Sequence, residues 1–255
     1  VSKNADFMPN KTAIRFEGQD ITYSEFDRQI RIYARTLKHS FGVVPGDRVA
    51  FLGVNTPSLL YTFFACARLG AIFSPLNWRL TPPEHRFMLQ DSGAKLLISD
   101  EEFRANADTI RDDIPDCTLV ANDFEDAAWR SLAAELAGSE GDDSNPDVTP
   151  DMPFMLVYTS GTTGRPKGAV LTQHNMQIHA YNSVHYSQMS MHDHILTVLP
   201  MFHVGGLNIQ TVPAFYAGAT VIMHRRFDPQ ATLKAIVDER PDLAVLVPAV
   251  LQAIF

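Results

Sequence analysis

The chain has 255 residues, a formal net charge of −8, and 45% hydrophobic against 20% charged residues. That length gives a buried core to one large domain or two small ones, and an acidic chain with no basic run lacks the electrostatic footprint of a nucleic-acid binder. Two cysteines, Cys66 and Cys117, are too few for a disulfide framework and are expected as buried thiols in a reducing, cytoplasmic compartment.

The first helix is marked by Thr22 and Glu25, spaced as a capping box before Phe26, Ile30, Ala34 and Leu37 at helical spacing. Gly42 closes it, and Pro45-Gly46 turns the chain into a strand over 49–54. Thr56 and Pro57 open a second helix, which Gly70 ends before a strand around Ile72. The stretch PSLLYTFFACARLGAIFSPL nearly matches a bilayer in length, but Arg68, Gly70 and Pro75 interrupt it. It is predicted as a buried helix followed by a strand, so no transmembrane segment is expected. Thr81 with Glu84 makes another capping box, and that helix runs to Gly93. The strand LLIS, an acidic helix from Glu101 with a solvated face, and a strand around Leu119 follow.

After a helix over 127–136 comes GSEGDDSNPDVTP, acidic and rich in Gly, Ser and Pro, which reads as a linker. Beyond it stand the strands FMLVY and GAVLT, a long helix from His174, the strand ILTVLP, a helix around Ile209, the strand ATVIM, a helix from Asp228 and the strand LAVLVP. The final AVLQAIF reads as a helix barely begun, so the chain is expected to be a piece of something longer. Regular alternation predicts an α/β protein with mostly parallel sheets and helices on both faces. The expected division is a first α/β subdomain over 1–138, an acidic linker over 139–152 and a second α/β subdomain over 153–255.

Between FMLVY and GAVLT lies the loop of YTSGTTGRPKGAV. Gly161, Gly164 and Gly168 free the backbone to turn N–H groups inward, a concavity that binds anions. Thr159, Ser160, Thr162 and Thr163 add hydroxyls, and Lys167 adds a mobile charge suited to phosphate. A Walker loop is excluded: Pro166 precedes the lysine, Gly168 follows it, and a strand comes next where that motif opens a helix. The bland alternative is a surface Gly/Thr hairpin, the commoner meaning of a short Gly-rich stretch.

YTSGTTGRPKG resembles the phosphate-binding signature of the adenylate-forming superfamily, which includes acyl-CoA synthetases, firefly luciferases and amino-acid adenylation domains. ITYSEFDRQI is similar to that family's early helix, ARLGAIFSPLNWRLTPPE to its second landmark, and LQDSGAKLLIS to the strand after it. PMFHVGGLN resembles the segment that borders the acyl pocket in acyl-CoA synthetases. The likeness covers essentially the whole chain and implies part of the large N-terminal domain of an acyl-CoA synthetase-like fold.

The resemblance implies a two-step ligation. A carboxylate attacks the α-phosphorus of ATP to give an acyl-AMP and pyrophosphate, and the thiol of coenzyme A then displaces AMP. It further implies that Ser160, Gly161, Thr162, Thr163, Gly164 and Lys167 hold the β- and γ-phosphates and that Thr159 sits near Mg2+. Phe202, His203, Val204 and Gly205 would line the acyl pocket, with Lys167 and His203 the catalytic candidates. The bland reading of His203 is a hydrogen-bonding residue at a strand end; Gly205 and Gly206 beside it favour a pocket wall. Amino-acid adenylation domains carry an aspartate at the matching place, to pair with an ammonium. A histidine there favours a simple fatty or aromatic carboxylic acid.

The implied partners are that acid and coenzyme A, with a homo-oligomer left open. Transfer to a carrier protein is the alternative within the enzyme class, and a non-catalytic nucleotide-binding or oligomerising fragment the alternative outside it. The family's adenine-binding stretch, Tyr-Gly-x-Thr-Glu segment, ribose aspartate and C-terminal domain with its lysine are not found in these residues, so the chain alone is expected to be inactive. His192 and His194 lack a third ligand and read as a solvated turn. Tyr181 and Phe215 read as core aromatics on apolar helix faces.

Overall fold

The computed structural model describes residues 1–159 and 165–254. In chain order its elements are α1 (Ser2–Phe7), β1 (Thr12–Phe16), β2 (Gln19–Thr22), α2 (Tyr23–Arg35), β3 (Arg48–Leu52), α3 (Pro57–Leu69), β4 (Ile72–Pro75), α4 (Pro82–Ser92), β5 (Leu96–Ser99), α5 (Arg104–Asp108), β6 (Thr118–Ala121), β7 (Arg130–Ser131) and α6 (Leu132–Ala137). There follow β8 (Pro153–Thr159), β9 (Lys167–Thr172), α7 (Gln173–Ser187), β10 (His194–Thr197), α8 (Val204–Gly206), α9 (Val212–Ala217), β11 (Thr220–Met223), α10 (Pro229–Glu239), β12 (Leu243–Ala244) and α11 (Pro248–Ile254). A π-helical turn, Leu207–Thr211, joins α8 to α9.

The chain forms two compact units: Val1–Gln29, Val54–Pro57 and Asn175–Phe255 make the first, and Ile30–Gly53 and Ser58–His174 the second. The first is built on a sheet in the order β12-β10-β11-β1-β2, and the second on β7-β6-β5-β3-β4-β8-β9. The ladders are parallel except β1 with β2 and β8 with β9, so the α/β, mostly parallel reading holds.

Apolar residues fill both interiors as the periodicity requires. In the first unit the Phe26 and Phe215 rings lie 4.9 Å apart, and the Tyr23 hydroxyl donates to the Ala219 carbonyl at 2.7 Å. In the second, Phe63 meets Phe73 edge-on at 5.5 Å and Phe154 at 4.7 Å, beneath β4 and β8. The apolar stretch over 57–76 is a buried helix and strand as expected, and among the described residues no helix is long and apolar enough to cross a membrane. Cys66 and Cys117 are buried free thiols; burial pushes Cys66 up from the usual thiol range and Cys117 to about 12.

The punctuation residues act as their chemistry dictates. Gly70 and Gly93 take positive φ at the ends of α3 and α4. The Thr22 hydroxyl accepts from the Glu25 N–H at 3.2 Å, and the Glu84 carboxylate accepts from the Thr81 N–H at 2.8 Å and its hydroxyl at 2.7 Å. These hydrogen bonds hold the Glu84 carboxyl below the usual carboxylate range. Glu84→Ala is therefore expected to destabilise the protein by about 1 kcal/mol above pH 5. A carboxyl depressed by folding stabilises above its unfolded pKa, so the difference from the parent should shrink as pH falls through the acid range, which melts at pH 7 and pH 3 would show.

Three segments depart from the sequence reading. The acidic helix from Glu101 is broken into short turns around α5, although Phe103, Ala107 and Ile110 are buried at helical spacing. The helix read over 127–136 begins at Leu132, after β7, with the Ser131 hydroxyl accepting from the Ala134 N–H. LAVLVP pairs only at Leu243 and Ala244.

The segment 139–152, marked by its composition as a linker, lies within the second unit and is tied down by charge. Asp143 pairs with Arg68 and, at 3.4 Å, with Arg31. Asp142 pairs with Lys38 at 2.6 Å and His39 at 2.9 Å. The strands that flank this segment in sequence, β7 and β8, belong to one sheet.

Candidate functional site

In the second unit β8 and β9 form an antiparallel ladder, in register from Leu156 opposite Val170 to Thr159 opposite Lys167. Thr159 ends one strand and Lys167 begins the other, so the quoted loop connects the tips of a hairpin. Ser160, Gly161, Thr162, Thr163 and Gly164 lie outside the described residues. Thr159 and Lys167 are both exposed, and among the described residues nothing pairs with the Lys167 ammonium.

Gly168 departs from its expected role. It lies extended within β9 opposite Tyr158, where a Cβ would come within 2.7 Å of Leu156 Cδ1 and 3.5 Å of the Tyr158 ring. Glycine is used here for close packing and not to curl the backbone.

In the first unit, β10 leads through 198–202 into His203, which caps α8. Its Nδ1 accepts the Gly205 N–H at 2.9 Å, which leaves the proton of a neutral ring on Nε2. His203 is exposed, Val204 and Gly205 are partly exposed, and Phe202 is packed into the core. Gly206 is demanded by sterics: a Cβ there would lie 2.6 Å from the Leu199 carbonyl oxygen and closer still to that of Pro200. The chain doubles back on itself at this point and presents the imidazole at the turn.

Behind His203 the π-helical turn loosens the normal ladder, and side chains of α7 satisfy its carbonyls. His179 Nε2 donates to the Asn208 carbonyl at 2.9 Å, and the Ser183 hydroxyl to that of Ile209 at 2.6 Å. The Thr211 hydroxyl donates to the Gly206 carbonyl at 2.7 Å. Gln210, fully buried, donates to the Leu196 carbonyl at 2.9 Å and accepts the Val245 N–H at 2.6 Å.

Sequence reasoning missed this scaffold and also Asn55, whose side chain bonds to the Leu199 and His224 carbonyls and accepts the Met201 N–H. Nothing local in the sequence distinguishes these residues from surface amides. Of the two aromatics read as core, Phe215 is buried, but Tyr181 is 56% exposed because α7 turns its polar residues towards the π-helical turn.

Among the described residues no three His, Cys, Asp or Glu gather to hold a metal ion; of the two histidines read as a turn, His192 lies in one and His194 begins β10. The described residues thus do not fit a resident metal, and Thr159 would act on one only as a further contact. A cleft of about 410 Å³ in the first unit contains none of the expected site residues. Of the cations that line it, Arg15 pairs with Asp20 and Glu239, Arg225 with Glu17, and Lys234 with Asp238.

The chain is 48% identical over 254 residues to the indoleacetate–CoA ligase of Aromatoleum aromaticum, covering 99% of this chain and 49% of that protein. It is 39% identical over 258 residues to the feruloyl-CoA synthase of an Amycolatopsis species, covering 99% and 48%. Among solved structures, the fatty acyl CoA synthetase of Mycobacterium tuberculosis superposes with a TM-score of 0.88 at 29% identity, covering 99% of this chain and 49% of that one. The chain therefore spans about half the length of the curated relatives it matches. The Thr- and Gly-rich hairpin connection, the His203 turn and these likenesses agree with the match of the AMP-binding enzyme family model to residues 1–255, and the chain belongs to that family.

Proposed function

We propose that the full-length protein is an ATP-dependent acid–thiol ligase that activates a fatty or aromatic carboxylic acid as its adenylate and transfers the acyl group to coenzyme A. The observation that carries the reading is the hairpin whose tips are Thr159 and Lys167, whose ammonium has no partner among the described residues, joined by the hydroxyl- and glycine-rich run of the family. An aromatic acid is favoured, because indoleacetate and the feruloyl group, named for the two relatives, are both aromatic.

The chemical obstacle is the approach of a carboxylate to a polyanionic phosphate chain. Lys167 contributes a cation at the polyphosphate, which lowers that repulsion and stabilises the charge gathering on departing pyrophosphate. Thr159 contributes a hydroxyl at the other tip. Magnesium would arrive with the triphosphate as part of that substrate, and no step is assigned to a resident ion.

For the acid, the role falls to His203. With Nδ1 occupied by Gly205, the Nε2–H of the neutral ring is the group that can donate to a carboxylate oxygen. His203→Trp is expected to raise the KM for the acid by about tenfold while leaving the KM for ATP unchanged, since bulk is added at the acyl segment only. An unchanged acid KM would make His203 a structural cap alone.

The test of the proposal is acid-dependent pyrophosphate release by the full-length protein with indoleacetate, ferulate and a fatty acid, followed by thioester formation on adding coenzyme A. Release with none of the acids would overturn the reading, as would transfer to a carrier protein in preference to coenzyme A.

A further inference from the structure

Resting on the reading of 158–168 as the polyphosphate-binding element, we propose that Tyr158 and Asp91 form a tether that positions this element, which makes Tyr158 a positioning residue for the nucleotide. Tyr158 is the last residue of β8 before Thr159. Its hydroxyl donates to Asp91 Oδ2 at 2.7 Å, with the Met88 carbonyl oxygen 3.3 Å away.

Both acceptors belong to the last turns of α4, and that end of the helix is itself anchored. Gly93 closes it in the left-handed conformation, and Arg48 of β3 donates to the Ser92 and Gly93 carbonyls at 2.5 Å each. The phenol therefore links the end of β8 to a fixed post 67 residues away in sequence.

The hairpin needs such a link. Residues 167–170 and Thr159 are exposed, so apolar packing does not hold the tips from which the loop departs. At Gly168, directly opposite, a Cβ would press on Leu156 Cδ1 at 2.7 Å and only touch the tyrosine ring, at 3.5 Å. A phenylalanine would fill the same half-buried space, so the hydroxyl is there for its hydrogen bond. Burial, and next the hydrogen bond to Asp91, push the phenol well above its usual range, which keeps it a neutral donor at every physiological pH.

In the full-length enzyme, Tyr158→Phe and Asp91→Ala are each expected to raise the KM for ATP in pyrophosphate release about tenfold. Asp91→Asn, which keeps an acceptor oxygen, should recover much of the loss. The KM for the acid and the thermal midpoint should not move, because Asp91 is exposed and Phe preserves the packing. The double variant Tyr158→Phe/Asp91→Ala should be no worse than either single variant, since both remove one contact.

Lys167→Ala, assayed in parallel, separates the tether from the reading beneath it. If Lys167→Ala impairs ATP use and the tether variants do not, the tether is overturned and the phosphate-binding reading stands. If none of the three affects ATP, both fall. Additive losses in the double variant, or a lowered melting point without a change in ATP KM, would also overturn the tether.

Discussion

Lys167→Ala in the full-length enzyme is expected to slow acid-dependent pyrophosphate release by about 30- to 1,000-fold and to leave folding untouched. The two halves of that expectation have separate grounds. Lys167 is exposed at the start of β9, and among the described residues its ammonium has no partner, so its removal strands no buried charge. In the proposed reaction the same ammonium faces a charge that grows as the bond to pyrophosphate breaks. Losing one such donor costs about 2–4 kcal/mol, the range of rate loss given above. Steady-state pyrophosphate release alongside a thermal melt reads both quantities. A wild-type rate in the variant would remove Lys167 from the site, and a large drop in melting temperature would assign it a structural role.

Asn55→Ala is expected to cost about 3 kcal/mol of stability or more, far above what its single amide would suggest. Asn55 is 3% exposed, and its side chain makes three hydrogen bonds to backbone: from Nδ2 to the Leu199 carbonyl at 3.0 Å and the His224 carbonyl at 3.1 Å, and at Oδ1 from the Met201 N–H at 2.8 Å. Alanine leaves all three groups without that partner, and each buried polar group stranded in this way costs about 1–3 kcal/mol. Leu199 and Met201 lie on the segment that delivers His203, so acid binding should weaken before the fold is lost. Denaturant midpoints of the parent and variant test the expectation, and a loss below about 1 kcal/mol would contradict it.

Much of the fold was legible because local chemistry wrote it. The capping pairs Thr22 with Glu25 and Thr81 with Glu84, and the stops at Gly70 and Gly93, are decisions made within a few residues, and the structure carries them out where the sequence puts them. The hairpin strands were legible too, from apolar runs on either side of a polar loop.

What escaped was settled at long range. β1 and β2 went unread although they flank a Glu17-Gly18 turn with positive φ at both positions; that turn is the signal that would have found them. Asp142 and Asp143 look like solvated linker charges until Arg31, Lys38 and Arg68 come beside them, residues about 75 to 112 positions distant in the chain. Asn55 and Gln210 are amides whose partners are backbone groups of other segments, so no window of sequence contains the reason for them. Of the site, the residue types around the phosphate loop and at His203 were legible, whereas Tyr158 read only as part of a motif because Asp91 stands in another element.

The place of β1 in its sheet has a consequence for the order of assembly. β1 lies between β2 and β11, with Ile14 opposite Val221, and the Thr220 hydroxyl donates to the Thr12 carbonyl across 208 residues of chain. β1 is translated before its parallel neighbour β11, which does not exist until residue 223 has been added. Throughout that interval β1 has only the short antiparallel strand β2 beside it, too little to stand alone in water. β1 is therefore fixed only after β11 has been made, and the nascent chain must carry an unsatisfied strand edge while the whole of the second unit is being synthesised.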